Sequence, residues 1–92
     1  TGKRFESVWD AIADTPQEAE NMKLRSALMM ELRHHLDERG LSQSEAAKLF
    51  GVTQPRVSDL VRGKVDRFAL DTLVNMLAAA GMRVEMRIGK AA

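Results

Sequence analysis

Residues 41–64, LSQSEAAKLFGVTQPRVSDLVRGK, decide the fold of this chain. Ser42 and Thr53 are typical helix-starting residues, because their side-chain oxygens accept hydrogen bonds from the free amides of a first turn. Gly51 follows an apolar-periodic stretch, and glycine readily adopts the left-handed conformation that ends a helix. The stretch therefore predicts two short helices, joined by a turn of three residues, over 43–50 and 54–62.

Small and apolar side chains within this stretch suit two crossing helices. Ala46 and Ala47 are small enough for the second helix to lie close across the first. Four larger apolar residues are predicted to close a core beneath the turn: Leu49, Val52, Val57 and Leu60.

The flanking sequence predicts three more helices, which makes the fold all-α with five helices. They are predicted over 4–13, which includes Trp9, over 16–39, and over 69–80. Met22, Met29, Leu32 and Leu36 share one face of the long helix, and the last helix is predicted to bury Leu70, Leu73, Val74 and Leu77. The chain divides into an N-terminal helical segment (1–40), a core with the two short helices (41–81) and a tail (82–92).

In the tail the period changes from that of a helix to that of a strand. Val84, Met86 and Ile88 alternate with charged residues over 83–88, which is the pattern of a half-buried strand. One strand cannot satisfy its backbone hydrogen bonds alone, and no second strand is predicted in the chain. We therefore expect the tail to pair with its copy across the two-fold axis of a homodimer.

The outward side chains of the second short helix carry the functional evidence. Two short helices joined by such a turn form a helix-turn-helix unit, and the second helix of this unit lies in the major groove of DNA. There Gln54 can pair with adenine, Arg56 with guanine or phosphate, and the ring of Pro55 can touch a thymine methyl. The carboxylate of Asp59 would repel phosphate unless it accepts a hydrogen bond from cytosine. The predicted base-reading set is Gln54, Pro55, Arg56, Ser58 and Asp59.

A second set of side chains suits the DNA backbone. Ser42, Gln43 and Thr53 lie at helix N-termini, where free amides and the helix dipole favour a phosphate. Basic residues follow the second helix and could grip the backbone without sequence preference. They are Arg62, Lys64 and Arg67.

Composition and charge distribution argue against several other classes of function, such as metal binding and catalysis. The net charge is only +1, but residues 41–67 carry 5 basic and 3 acidic side chains, whereas residues 1–40 carry 6 and 8. The absence of cysteine excludes disulfides and thiolate metal sites. His34 and His35 are adjacent and point about 100° apart on a helix, so they do not chelate one metal. No metal site, cofactor or enzymatic activity is predicted, and we expect a cytoplasmic protein without a membrane span.

Residues 42–81 resemble the helix-turn-helix of phage repressor and Cro proteins, the XRE family. The resemblance implies a lambda-repressor-like domain in which Gln43 holds a phosphate and residues 54–59 face the bases of a palindromic operator. The run RFALDTL at 67–73, then AAAG at 78–81 and the alternating tail, is similar to a subgroup of HigA-type antitoxins. Proteins of that subgroup pair with small ribonuclease toxins and repress their own operon.

Two hypotheses follow. The first is a dimeric transcriptional repressor that binds operator DNA. The alternative is a protein-interaction module that neutralises a toxin, with DNA binding secondary. The methionine-rich face of the long helix, with Met22, Met29 and Met30, is either core or a surface for such a partner.

Overall fold

The computed structural model describes residues 15–90, and within this range the chain is helical. Four α-helices and one turn of 3-10 helix follow one another: α1 (Pro16–Glu38), α2 (Gln43–Phe50), α3 (Gln54–Val61), the 3-10 helix (Val65–Arg67) and α4 (Leu70–Ala79). The predicted helix over 4–13, with Trp9, lies outside the described residues. The helical architecture agrees with the predicted all-α class.

Helix α1 is one continuous helix of 23 residues. It begins after Thr15, whose hydroxyl oxygen accepts a hydrogen bond from the Glu18 amide at 3.1 Å. Pro16 follows in the first helical position, where it has no amide hydrogen to leave unpaired. The start of α1 is therefore the one that the sequence predicts.

The core lies where α1 and α4 cover the pair α2 and α3. Helix α1 contacts α4, α3 and the 3-10 helix, and α2 contacts both α3 and α4. The largest fully buried side chains come from every one of these elements or the loop beside it: Phe50, Phe68, Leu32, Leu60, Leu73, Met76 and Val57. One continuous core thus fixes the position of α3.

The buried residues differ from the prediction in two places. Helix α4 buries Leu73, Met76 and Leu77, whereas Leu70 is half-buried and Val74 is 40% exposed. Val74 is one position beyond Leu73 and is rotated about 100° from it, away from α1 and α2. Beneath the turn, Leu49 and Val52 are only half-buried and pack against the edge of the core, whereas Phe50 is 2% exposed.

The tail, residues 82–90, forms neither helix nor strand in the single chain. Val84 is half-buried and packs against the core, whereas Met86 and Ile88 are 80% and 85% exposed. A strand needs a neighbouring strand for its backbone hydrogen bonds, so its formation across a dimer stays a prediction. Within residues 15–90 no helix combines the length and the apolar character that crossing a membrane requires.

Candidate nucleic-acid interface

Helix α2 begins with a reciprocal pair of hydrogen bonds between Ser42 and Glu45. The Ser42 hydroxyl accepts from the Glu45 amide at 3.1 Å, and the Glu45 carboxylate accepts from the Ser42 amide at 2.8 Å. The Ser42 amide, followed by the Ser42 hydroxyl, lowers the pKa of the Glu45 carboxyl. The Ser42 side chain is exposed at this end of α2.

The turn between α2 and α3 depends on Gly51. Its φ is +72°, a conformation that strains a residue with a Cβ atom. The Val52 amide then donates to the Ala47 carbonyl at 3.0 Å and closes the end of α2. Ala46 and Val57 are both fully buried, as the close crossing of α2 and α3 requires.

The predicted phosphate-binding and base-reading residues meet at the N-terminus of α3. Gln43 from α2 lines an open cleft of about 340 Å³ together with Gln54, Pro55 and Ser58 from α3. Thr53 precedes this helix, is exposed, and makes no side-chain hydrogen bond to the first turn. Its hydroxyl and the Gln54 amide are therefore available to a ligand at this end, whereas Pro55 has no N–H and the Arg56 amide donates to the Thr53 carbonyl at 3.1 Å.

Arg56 and Asp59 differ from the free, outward side chains that the sequence predicts. Arg56 is half-buried, donates a hydrogen bond to the carbonyl of Arg67 at 2.9 Å, and lies over the Phe68 ring at 5.5 Å from its centroid. The Asp59 side chain is only 16% exposed and pairs with the Arg67 guanidinium at 3.5 Å. The structure thus brings together two predicted base readers, Arg56 and Asp59, and one predicted phosphate contact, Arg67.

The remaining basic residues follow α3 closely. Arg62 ends the helix and is exposed, and Lys64 is half-buried two positions further on. Neither side chain makes a hydrogen bond or ion pair with another residue of the described part of the chain. Both charges therefore remain available to an anionic ligand beside the α3 surface.

Two arginines of α1 that sequence reasoning missed bind carbonyls at the end of α3 and in the segment after it. Arg33 donates to the Val61 carbonyl at 2.9 Å. Arg25 donates to the carbonyls of Val65 and Phe68 at 3.3 and 3.2 Å. These carbonyls lie 28 to 43 positions away along the chain, so no local pattern indicates the contacts. Both arginines tie the long helix to the end of the helix-turn-helix unit.

The two short helices, the glycine turn and the exposed N-terminus of α3 define a helix-turn-helix domain, the class of fold typical of DNA-binding regulators. A family model described as a helix-turn-helix domain matches residues 11–89. The match covers most of the chain, which belongs to this helix-turn-helix family. The comparison with curated proteins gives no match.

Proposed function

We propose that this protein is a sequence-specific transcriptional repressor that binds operator DNA as a homodimer through α3. The observation that carries the proposal is the cleft at the N-terminus of α3, where Gln43 of one helix meets Gln54, Pro55 and Ser58 of the other. In a helix-turn-helix unit this end of the second helix faces the base edges. A side chain on α2 can hold a phosphate while its neighbours on α3 reach the bases.

Each proposed contact follows from donor and acceptor chemistry. The amide group of Gln54 can form two hydrogen bonds with adenine, and the guanidinium of Arg56 can form two with guanine. Ser58 lines the same cleft, and its hydroxyl can donate or accept. Ser42, Gln43 and Thr53 are assigned to phosphates on one side of the helix. At the C-terminal end of α3 the proposed phosphate contacts are Arg62, Lys64 and Arg67.

The chain is expected to act in pairs. Val84, Met86 and Ile88 alternate in the tail, and the last two are largely exposed in the single chain. Pairing of two tails would cover them and satisfy their backbone groups. A symmetric dimer can present two copies of α3 about 34 Å apart, which suits successive major grooves and a palindromic site.

The first test compares base-reading with phosphate-contacting substitutions on a duplex selected from a random pool by the wild-type chain. We expect Gln54→Ala and Arg56→Ala each to weaken binding of the selected duplex by about 1–3 kcal/mol and random DNA much less. Arg62→Ala should weaken both duplexes about equally and flatten the salt dependence by about one unit of slope. Fluorescence anisotropy over a salt series measures all of these quantities.

Gln17→Ala is the matched control, since Gln17 is an exposed glutamine in the first turn of α1. It should bind like the wild-type chain. If the substitutions at Gln54, Arg56 and Arg62 also bound the selected duplex like wild type, α3 would not be the recognition helix.

A second candidate function is binding of a small toxin protein, in accordance with the antitoxin-like features of the sequence. An apolar groove of about 240 Å³ between α1 and the end of α3 favours it. The groove is lined by Met29, Met30, Leu60 and Val65 among others, and the Met30 side chain is 71% exposed. Methionine suits adaptable protein interfaces.

The toxin hypothesis is tested by co-expression with the gene adjacent to this one. Stable co-purification of the two products, weakened by Met30→Glu but not by Glu31→Gln at the next position, would support it. A dimer that purifies alone and shifts its own promoter would instead leave repression as the function.

A further inference from the structure

We propose that Asp59, Arg67 and Phe68 form an anchor for the Arg56 side chain, and that Asp59 acts as a positioning residue through Arg67 and does not read a base. The inference rests on the proposed function, because its consequence is the specificity of DNA binding. It deepens that function by assigning a task to the carboxylate on the DNA-facing helix.

The Arg56 side chain is held by two contacts of different kinds. One N–H group donates to the Arg67 carbonyl at 2.9 Å, and the guanidinium lies over the Phe68 ring. Phe68 is 1% exposed, so the ring is fixed by the core. A guanidinium has five N–H groups, and the hydrogen bond to the Arg67 carbonyl uses one of them, so others stay available. Arg56 can therefore contact a base or phosphate while the Arg67 carbonyl and the Phe68 ring hold its side chain in position.

Fixing this side chain before binding has an energetic consequence. A free arginine has many rotamers, and ordering it on DNA lowers the affinity. In the anchor, most of this ordering is already complete in the free protein. Binding of Arg56 to the base or phosphate that fits its fixed position should therefore be stronger. Binding to a group in another position should be weaker, because the side chain would have to leave the anchor.

The position of Asp59 indicates how the anchor is held in place. Asp59 lies three residues after Arg56 and thus on the same side of α3. Its carboxylate pairs with Arg67, the residue whose carbonyl receives Arg56. The ion pair ties the 3-10 helix to α3. The Arg67 side chain remains 53% exposed and keeps further N–H groups for phosphate.

The same geometry disfavours a base contact for Asp59. The side chain is 16% exposed and is already engaged with a cation. To accept from cytosine it would have to leave Arg67 and turn a negative charge towards the phosphates. Pairing with Arg67 resolves the conflict that a carboxylate poses on a DNA-facing helix.

The experiment compares Asp59→Asn with Asp66→Asn. Asp66 lies next to Arg67, is exposed, and makes no ion pair with the described part of the chain, so both substitutions remove one negative charge from the same region. Each variant is titrated with the duplex selected by the wild-type chain and with random DNA. We expect Asp59→Asn to lower the ratio of the two affinities about three- to tenfold relative to Asp66→Asn. The preferred base at each operator position should stay the same.

A spectroscopic measurement on the free protein tests the anchor independently. The Nε–H resonance of Arg56 should be displaced by the ring current of Phe68 in the wild-type chain. We expect it to move towards the position of a free arginine in Asp59→Asn and in Arg67→Gln, but not in Asp66→Asn. Arg67→Gln changes an exposed side chain and serves as the second variant if Asp59→Asn does not fold.

Two outcomes would overturn the proposal. One is a changed base preference at a single operator position in Asp59→Asn with an unmoved Arg56 resonance, which would make Asp59 a base reader. The other is equal behaviour of Asp59→Asn and Asp66→Asn in both measurements. If the wild-type chain selected no sequence at all, the proposed function would fail, while the resonance would still decide whether the anchor exists.

Discussion

Two side chains determine where α2 begins. Ser42 and Glu45 each accept a hydrogen bond from the other's backbone amide. The sequence indicates Ser42 as the start, whereas the return contact from Glu45 is a finding of the structure. Because the Ser42 amide binds the charged form of the carboxyl, the pKa of Glu45 is lowered on folding. Both contacts orient the first turn that carries Gln43 into the cleft.

This cap predicts a specific pH dependence of stability. A carboxyl whose pKa is lowered by folding contributes stability above its unfolded pKa, and the contribution is lost as the pH falls through the folded pKa. We expect Glu45→Gln to remove this part of the acid dependence of the free energy of unfolding. Ser42→Ala should cost about 1 kcal/mol at neutral pH. Urea unfolding at a series of pH values measures both effects, with Glu31→Gln on α1, which removes an exposed carboxyl that caps no helix, as the matched control. Wild-type acid dependence in Glu45→Gln would contradict the assigned cap.

At the scale of the elements, helix packing decides which apolar residues contribute to stability. On α1, Leu32 is fully buried beneath the other helices, whereas Leu24, two turns earlier, is 57% exposed. The helical period places Leu32 on the predicted apolar face and Leu24 alongside that face. The difference arises because α1 contacts its neighbours along one stripe, and the core lies on that stripe.

Leucine-to-alanine substitutions on α1 should therefore differ in cost. Leu32→Ala leaves a cavity in the core and should lower the free energy of unfolding by about 2–5 kcal/mol. Leu24→Ala introduces the same residue at an exposed position and should change it by about 0.5 kcal/mol or less. Chemical denaturation of the two variants gives the comparison. Equal losses would show that the assigned burial of α1 is wrong.

At the scale of the whole molecule, the tail leaves an incomplete surface. Residues 82–90 form no strand in the single chain, although Val84, Met86 and Ile88 alternate with polar residues. Exposed apolar side chains next to unpaired backbone groups favour association with another extended segment. In the proposed dimer this surface would set the spacing of the two α3 helices.

The dimer is tested by substituting glutamine at the apolar positions of the tail and, as a control, at a charged position between them. We expect the double substitution Met86→Gln, Ile88→Gln to raise the dimer dissociation constant at least about tenfold, because apolar burial is lost in both copies. Arg87→Gln, between the two positions, should leave it unchanged. Sedimentation over a concentration series measures the constant. An unaltered dimer in the double variant would place the interface elsewhere.

The amino-acid sequence by itself determines the helical class and most helix boundaries. The starts at Thr15-Pro16 and Ser42 and the turn at Gly51 depend on hydrogen bonds and backbone conformations within a few residues. Such local interactions are visible in the sequence. The same holds for the outward positions of Gln54, Pro55 and Ser58, which follow from the helical period. Helix α3 begins after Thr53 as predicted, but the predicted cap is wrong, because the Thr53 side chain accepts no hydrogen bond from the first turn.

Contacts between distant residues are decided only by the tertiary structure. Three sets of contacts join separate elements of the fold. They are the contacts of Arg56 with Arg67 and Phe68, the Asp59–Arg67 ion pair, and the hydrogen bonds from the α1 arginines to distant carbonyls. They depend on the angles at which helices pack, and these angles result from the shape of the whole core. For the same reason Met76 is buried and Val74 is not.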